Sequence, residues 1–574
     1  MRNRAFYALG LLVVLIAGGF IWRLHFLQIQ QYDYYATREK NNYTRYVTEE
    51  PIRGRILDTK GRVLAYDQTA YNVAVVPALS KNATTTKENL FKLGAKAEDV
   101  EAAFENSKLY PFQPMVVIQD ISESNRLKVL EVENHDPAIK LVLGSKRVYP
   151  YGQLGAFITG YVGMASKEDL QRDENLRPSS IVGKMAAEKV FDSYLRGQPG
   201  ITEVLVDVTG RVVKEKLVST PVKGYDVYLT VDMDLQKVAW DAVANEVGGV
   251  IAANPRDGSI YALVSKPSFD PNVFVKGIDS ATWKEYEKNS SLVNRMTMSQ
   301  IPPGSTFKVV TGLAGLYYHA ITPDFTINDP GYLQLGSARV WNYRHRSWGT
   351  VDFEKGLAVS NNVYFGTVGL RTGIDKIYEV AKTMGLTDYP WIEYDAVSKG
   401  IIPNQQWKKE VVGEPWYPGD TVNTSIGQGY VAVSPMLMAQ VYQQIINDGE
   451  LYKFRFLKEV RDGKTVVFKA EPESRPQSTI YKNWFPVIRN GMEAGVDWGL
   501  LTGLKSSMYT AAGKSGTAET ERANKYHKWL IAYANRNNPE IMVVSLRLYT
   551  TDTEPVKITK TVMEGYFRGK SAVR

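Results

Sequence analysis

Ser305 and Lys308 lie three residues apart in Pro302-Pro303-Gly304-Ser305-Thr306-Phe307-Lys308, the only Ser-x-x-Lys in the chain. A serine hydroxyl becomes a nucleophile when a base takes its proton, and a neutral lysine amine can be that base. Taken alone, the pair also fits a helix-capping serine followed by a solvated lysine. Ser360-Asn361-Asn362 follows 55 residues after Ser305 and offers a hydroxyl and an amide that a short turn could aim at one point. Ser80-Lys81-Asn82 shows that Ser-x-Asn also arises as an ordinary polar loop. Lys514-Ser515-Gly516-Thr517 comes 154 residues after Ser360. Lys514 and Thr517 could grip a carboxylate, and Gly516 would let a substrate approach the backbone closely.

The elements around these residues follow from periodicity. Thr306 to Tyr318 predicts a helix, which puts Ser305 at an N-terminus, where negative charge is favoured, and Lys308 one turn on along the same face. Met508 to Ala512 predicts a strand, with the lysine motif at its end. Val227 to Val231 predicts a strand and Asp234 to Val247 an amphipathic helix. Two apolar runs, Gly249 to Asn254 and Ser259 to Val264, flank a turn at Pro255-Arg256-Asp257-Gly258. Trp529 to Tyr533 and Ile541 to Leu548 predict two more strands. The second half is therefore expected to be α+β with an antiparallel sheet. The first half is more irregular. Ile52 to Asp58 and Gly61 to Ala65 predict short strands around Lys60-Gly61, and Lys87 to Ser107 predicts a helix.

At 574 residues the chain has the length of about three to four domains. Its apolar share of 44% and charged share of 23% fit a globular protein and exclude collagen-like, coiled-coil or wholly disordered chains. The net charge of +8 is spread along the chain without a Lys/Arg block, so no nucleic-acid partner is expected. There is no cysteine, which excludes disulfides, thiolate metal sites and a cysteine nucleophile. The five histidines are scattered without metal-ligand spacing, so no metal or other cofactor is expected. His527 as a general base is outweighed by simple packing. Gly427-Gln428-Gly429 mimics a dinucleotide fingerprint but has no βαβ unit around it, and Gly513-Lys514-Ser515 mimics a phosphate loop without the required first glycine. Ala5 to Trp22 carries no charge and would make a helix of about 27 Å, nearly a bilayer's hydrocarbon thickness. Arg2 and Arg4 precede it, so a single-pass anchor is expected, with its N-terminus cytoplasmic and the rest outside.

In this order, Ser-x-x-Lys, Ser-x-Asn and Lys-Ser-Gly resemble the motif set of penicillin-binding proteins and serine β-lactamases. Pro302 to Lys308, with Asn294-Arg295 upstream and Lys514 to Glu519 downstream, resembles the class B penicillin-binding proteins. So do Arg53-Gly54-Arg55-Ile56-Leu57-Asp58, Arg147-Val148-Tyr149-Pro150-Tyr151-Gly152, Gly183-Lys184 through Glu188, Tyr194-Leu195-Arg196-Gly197 and Leu229-Thr230-Val231-Asp232. Ala156-Phe157 departs from the family, where many members carry a histidine. The resemblance implies an anchor over 1–25, a pedestal domain over 26–225 and a penicillin-binding transpeptidase domain over 226–574. It implies a D,D-transpeptidase that cross-links peptidoglycan stem peptides at their D-Ala-D-Ala end, with carboxypeptidase side activity, and is acylated by β-lactams. Ser305 would be the nucleophile, Lys308 the base, Ser360 a proton relay and Asn362 the holder of the peptide amide. Lys514, Ser515, Gly516 and Thr517 would line the carboxylate and oxyanion side, with the backbone N–H groups of Ser305 and Thr517 forming the oxyanion hole. A multi-span glycan polymerase would contact anchor and pedestal. The first 225 residues hold no glycosyltransferase-type carboxylate motif, which disfavours a bifunctional enzyme. The competing expectations are a β-lactam-hydrolysing or sensing enzyme on the same fold, and a catalytically silent scaffold.

Overall fold

The computed structural model describes residues 2–32, 44–106, 113–177, 180–206, 212–275, 277–551 and 555–571. Helix α1 (Arg2–His25) runs on through a π-turn to Gln30. Phe6, Leu11, Ile16 and Trp22 on it are all more than half exposed. Among the described residues it is the one helix long and apolar enough to cross a membrane. A helix that leaves so much apolar surface uncovered suits lipid better than water.

Next comes a three-stranded sheet in which β1 (Thr44–Glu49) pairs antiparallel with β6 (Gly200–Val206), and β6 with β7 (Val212–Ser219). Between β1 and β6 the chain builds β2 (Ile56–Leu57), β3 (Val63–Val75), α2 (Ala83–Lys92), α3 (Ala97–Asn106), β4 (Met115–Ile118), α4 (Glu123–His135) and β5 (Ile139–Val148). The single helix expected over Lys87 to Ser107 is thus two, broken where Gly94 takes the left-handed backbone that ends helices; residue 107 lies outside the described residues. The expected strands around Lys60-Gly61 are present, the first shortened to two residues and the second running to Val75. Val73, Val75, Leu90, Val100, Val129 and Ile139 form a separate small core here.

A larger sheet has the order β14-β13-β8-β2-β3-β4, with β5 also on β3; β8 is Asp226–Leu229, β13 Leu457–Asp462 and β14 Thr465–Lys469. It therefore crosses residue 225: two strands from late in the sequence, joined through β8, complete a sheet begun at Ile56. Asp67 on β3 and Arg147 on β5 belong to a buried ionic group with Arg53, Glu188 and Asp192. Glu188 is fully buried and receives Arg53 Nε at 2.7 Å and Arg147 Nε at 2.7 Å. Arg53 also pairs with Asp192 at 2.7 Å and Arg147 with Asp67 at 3.0 Å. Burial raises the Glu188 pKa, and the two arginines outweigh it, holding the carboxyl below its ordinary value.

The second half is built on a five-stranded antiparallel sheet, β10-β9-β17-β16-β15. Its strands are β9 (Gly248–Ala253), β10 (Ile260–Lys266), β15 (Ala511–Glu519), β16 (Tyr526–Ala534) and β17 (Ile541–Thr550). β16 and β17 are apolar almost without alternation because both faces are covered. On one face lie α6 (Met233–Val243) and the last helix, Pro555–Ser571, with Val243, Val562 and Met563 in one core. On the other lies a helical layer containing α7 (Lys308–Tyr317), α8 (Phe353–Ala358), α9 (Asn362–Thr372) and α10 (Phe485–Asp497), around Phe307, Leu313, Phe353 and Phe365. The α+β architecture is the one expected.

Candidate active site

The site lies where the helical layer meets the edge strand β15. Gly304–Phe307 forms a 3₁₀ turn that leads directly into α7, so Ser305 precedes the helix and Lys308 opens it. The lysine motif stands inside β15 and not at the end of a strand over Met508 to Ala512, as the sequence suggested. Gly513 before it and Gly516 within it look like turn chemistry, yet β15 pairs with β16 in unbroken register. A Cβ on Gly516 would come within 2.5 Å of the Pro303 carbonyl oxygen. The open side of Gly516 is thus filled by the Ser305 segment itself, and not by a substrate.

Lys308 is fully buried. Its Nζ donates to the Ser360 carbonyl oxygen at 2.7 Å and to Asn362 Oδ1 at 2.7 Å, with Ser360 Oγ at 3.4 Å. Lys514 Nζ donates to Ser360 Oγ at 2.8 Å and to the Ser515 carbonyl at 3.0 Å. Ser360 Oγ therefore lies between the two amines. Ser360 forms the turn between α8 and α9 with φ at 56°, a left-handed value uncommon for a side-chain-bearing residue and typical of constrained sites. Burial lowers the Lys308 pKa well below its ordinary value, and the nearby Lys514 charge lowers it further. Burial brings Lys514 to about 7. Ser305, Ser515 and Thr517 are half-buried.

Several residues here were missed from the sequence. Gly304 N–H donates to the Gly427 carbonyl at 2.9 Å, and Gln428 Nε2 reaches the Thr517 carbonyl at 3.5 Å. The Gly427-Gln428-Gly429 stretch, dismissed as a nucleotide fingerprint, thus packs against the Ser305 turn. Asp329, Asn342 and Asn361 form a buried hydrogen-bonded group behind the Ser360 turn. Lys528 Nζ lies 3.5 Å from Thr517 Oγ1. Asn361 is the middle residue of the second motif, and no sequence spacing links the others to the three motifs. His527 is buried edge-on to Tyr549, with ring centroids 4.7 Å apart, and burial lowers its pKa; packing is its evident role.

The penicillin-binding protein dimerisation domain matches residues 48–229, and the penicillin binding protein transpeptidase domain matches residues 248–564. The peptidoglycan D,D-transpeptidase MrdA of Escherichia coli (strain K12) is 31% identical over 568 residues, covering 93% of this chain and 89% of the relative. The complex of a penicillin-binding protein (PBP2) with MreC from Helicobacter pylori has a TM-score of 0.77 at 24% identity, covering 92% of this chain and 99% of that one. A chain of a peptidoglycan synthase complex, described as coordinating polymerization and crosslinking, gives 0.69 at 26% identity, with 98% of each chain covered. Two domain models matched in sequence order, and a relative this similar along nearly the whole chain, show that the chain belongs to the class B penicillin-binding proteins and is a serine-type peptidoglycan D,D-transpeptidase.

Proposed function

We propose that Ser305 is the acylated nucleophile and Lys308 its base. The observation that carries this reading is the environment of Lys308 Nζ. A neutral amine has two N–H groups and one lone pair. The Ser360 carbonyl and Asn362 Oδ1 take two donors at 2.7 Å each, which leaves the lone pair for a hydroxyl proton. Burial and the Lys514 charge favour that neutral form.

Ser305 Oγ attacks the carbonyl carbon of the penultimate D-Ala as its proton passes to Lys308. The peptide bond then breaks, and the departing D-Ala amine gains a proton through Ser360, whose Oγ contacts both lysines. The acyl group rests on Ser305 until an amine of a second stem attacks, loses its proton along the reverse route and frees the serine. Asn362 holds the peptide amide. Lys514, Ser515 and Thr517 receive the terminal carboxylate, and the Ser305 and Thr517 N–H groups face the developing oxyanion. Gly516 supports them by letting β15 lie against the Ser305 turn.

Water is a poor competitor at such an acyl-enzyme unless a base positions it. Three glutamates between the second and third motifs are engaged elsewhere. Glu393 accepts the Phe456 and Leu457 N–H groups at 3.0 Å each, Glu410 accepts Gln406 at 2.8 Å, and Glu414 faces Lys408 at 3.7 Å. General-base help is worth ~10²–10⁴-fold, so hydrolysis without it is slow, whereas an oriented acceptor amine gains from proximity. This favours transpeptidation over a β-lactamase.

The anchor over 1–25, a pedestal over 26–225 and a catalytic domain over 226–574 complete the proposal. Arg2 and Arg4 ahead of the apolar run put the N-terminus in the cytoplasm and the catalytic domain outside. Solved neighbours held in complexes support an assembly partner; for this chain we read it as a multi-span glycan polymerase touching anchor and pedestal. The experiment is penicillin labelling followed by peptide mapping. An adduct on Ser305 that Ser305→Ala abolishes in a folded protein is expected. An adduct on another serine contradicts the reading.

A further inference from the structure

We propose that Asp329 is a positioning residue for the acylation step, fixing Asn361 and Asn362 and, through them, Ser360 and Lys308. Asp329 is 1% exposed, in a short strand (Ile327–Asp329) paired with Gly349–Val351. Its side chain accepts four hydrogen bonds, all from amides. Oδ2 receives Asn342 Nδ2 at 2.7 Å, Asn361 Nδ2 at 2.7 Å and Trp348 N at 3.2 Å. Oδ1 receives Gly331 N at 2.8 Å.

A carboxylate only accepts, so it dictates which end of each asparagine amide faces it. Both NH₂ groups turn toward Asp329, and both oxygens must then point away. The Asn361 oxygen accepts Tyr364 N at 2.7 Å. That of Asn342 accepts Asn362 N at 2.8 Å and Val363 N at 3.3 Å. These are unpaired N–H groups of the first turn of α9. One buried charge thus orients two amides that together satisfy three N–H groups and seat the residues on either side of Asn361. Ser360, next in the chain, holds a left-handed backbone that its surroundings must enforce. Asn362 donates from Nδ2 to the Trp341 carbonyl at 2.8 Å and accepts Lys308 from the other end of the same amide. The line from Asp329 through Asn342 and Asn362 to Lys308 is continuous.

An isosteric amide cannot replace the carboxylate. Asparagine at 329 has one oxygen where two are needed, and its NH₂ would face another donor. With the oxygen kept toward Asn342, Asn361 and Trp348, the NH₂ faces the Gly331 N–H; relief requires that backbone to move and, through the Gly331 carbonyl that accepts Asn342 N–H at 3.0 Å, to carry Asn342 with it. The backbone at Asn362 then shifts, and with it the Lys308 amine. Misplacement by about 1 Å near reacting atoms is worth ~10²-fold in rate.

The inference rests on the reading of Ser305 and Lys308 given above, and the test separates the two. Full-length protein in detergent is acylated with penicillin over a concentration series, and the limiting rate, the half-saturating concentration and the fraction labelled are read separately. For Asp329→Asn a fall of ~10² in the limiting rate is expected, with half-saturation and labelled fraction unchanged. For Asn342→Ala, which cuts one arm, ~10-fold is expected. A wild-type limiting rate in folded Asp329→Asn overturns the proposal. So does a loss confined to the labelled fraction, which marks a role in folding alone. If Asp329→Asn does not fold, Asn342→Ala decides: a reduced limiting rate supports the proposal, and a normal one overturns it. Wild-type adducts mapping away from Ser305 would instead mark failure of the underlying mechanism.

Discussion

Lys308 and Lys514 are two buried amines that share one serine hydroxyl, and their protonation must differ for the chemistry to run. Lys308 feels the same kind of burial as Lys514 plus the charge of Lys514, so it loses its proton first. Acylation of the free enzyme should rise as Lys308 deprotonates and fall as Lys514 loses its proton near pH 7. A bound carboxylate favours charged Lys514, so the falling limb moves to higher pH at saturating penicillin. Rates measured at low and high penicillin concentration between acid and alkaline pH check this; a flat alkaline side at both concentrations contradicts it. The same shift bears on stability. Between about 7 and the ordinary 10.5, the unfolded chain holds a proton on Lys514 that the native chain has released. Unfolding then takes up protons, so this lysine's contribution to stability grows as pH rises through that window. Lys308→Arg keeps a charge but cannot become a neutral base, so its acylation rate should fall by ~10²–10⁴-fold, nearly as far as in Lys308→Ala. Retention of most of the rate would make Lys308 a charge and not a base. The residues that do this chemistry were legible because their types and order are distinctive. Asp329 and Asn342 were not, since acidic and amide side chains occur throughout the chain and only the fold brings these two behind Ser360.

At the scale of elements, periodicity located four of the five strands of the catalytic sheet and the helices α6 and α7, but not α8, α9, α10 or the last helix, and the errors have physical causes. The lysine motif falls at the end of the expected strand because glycine and serine weaken a strand pattern. In the fold those small residues are what let β15 lie against the Ser305 turn. Gly427 shows the same effect from the other side: a Cβ there would stand 2.1 Å from the Gly304 carbonyl oxygen. Gly427→Ala must therefore push the Ser305 turn away from its seat. The expected outcome is a penicillin acylation rate lower by ~10²-fold together with a reduced melting temperature. Wild-type acylation in this variant would mean that the turn is held without that contact. Lys87 to Ser107 failed differently, because an apolar pattern continues across a helix break.

Over the whole molecule, the first half has a small core of its own, a larger sheet shared with late strands and a buried ionic group. Sequence blocks far apart in the chain converge there: Arg53, Arg147 and Glu188 come from three of the blocks that carried the family resemblance. Convergence of that kind is invisible to local pattern reading, and so is a sheet that crosses residue 225. Glu188→Gln would leave two buried arginines facing a neutral partner, at a cost of about 3–5 kcal/mol. Denaturant unfolding should show that loss, while the folded fraction acylates at the wild-type rate; a matching fall in rate would mean that the pedestal acts on the site. Residues 26–574 without the anchor should still acylate, because the long apolar helix ends before the cores begin. The most direct test of the central claim is the fate of the penicillin adduct. Intact mass and peptide mapping, followed over time after excess penicillin is removed, read both its position and its lifetime. The account predicts one adduct, on Ser305, that persists for many minutes in water. Loss within seconds would point to a hydrolase, and an adduct on any other residue would contradict the mechanism.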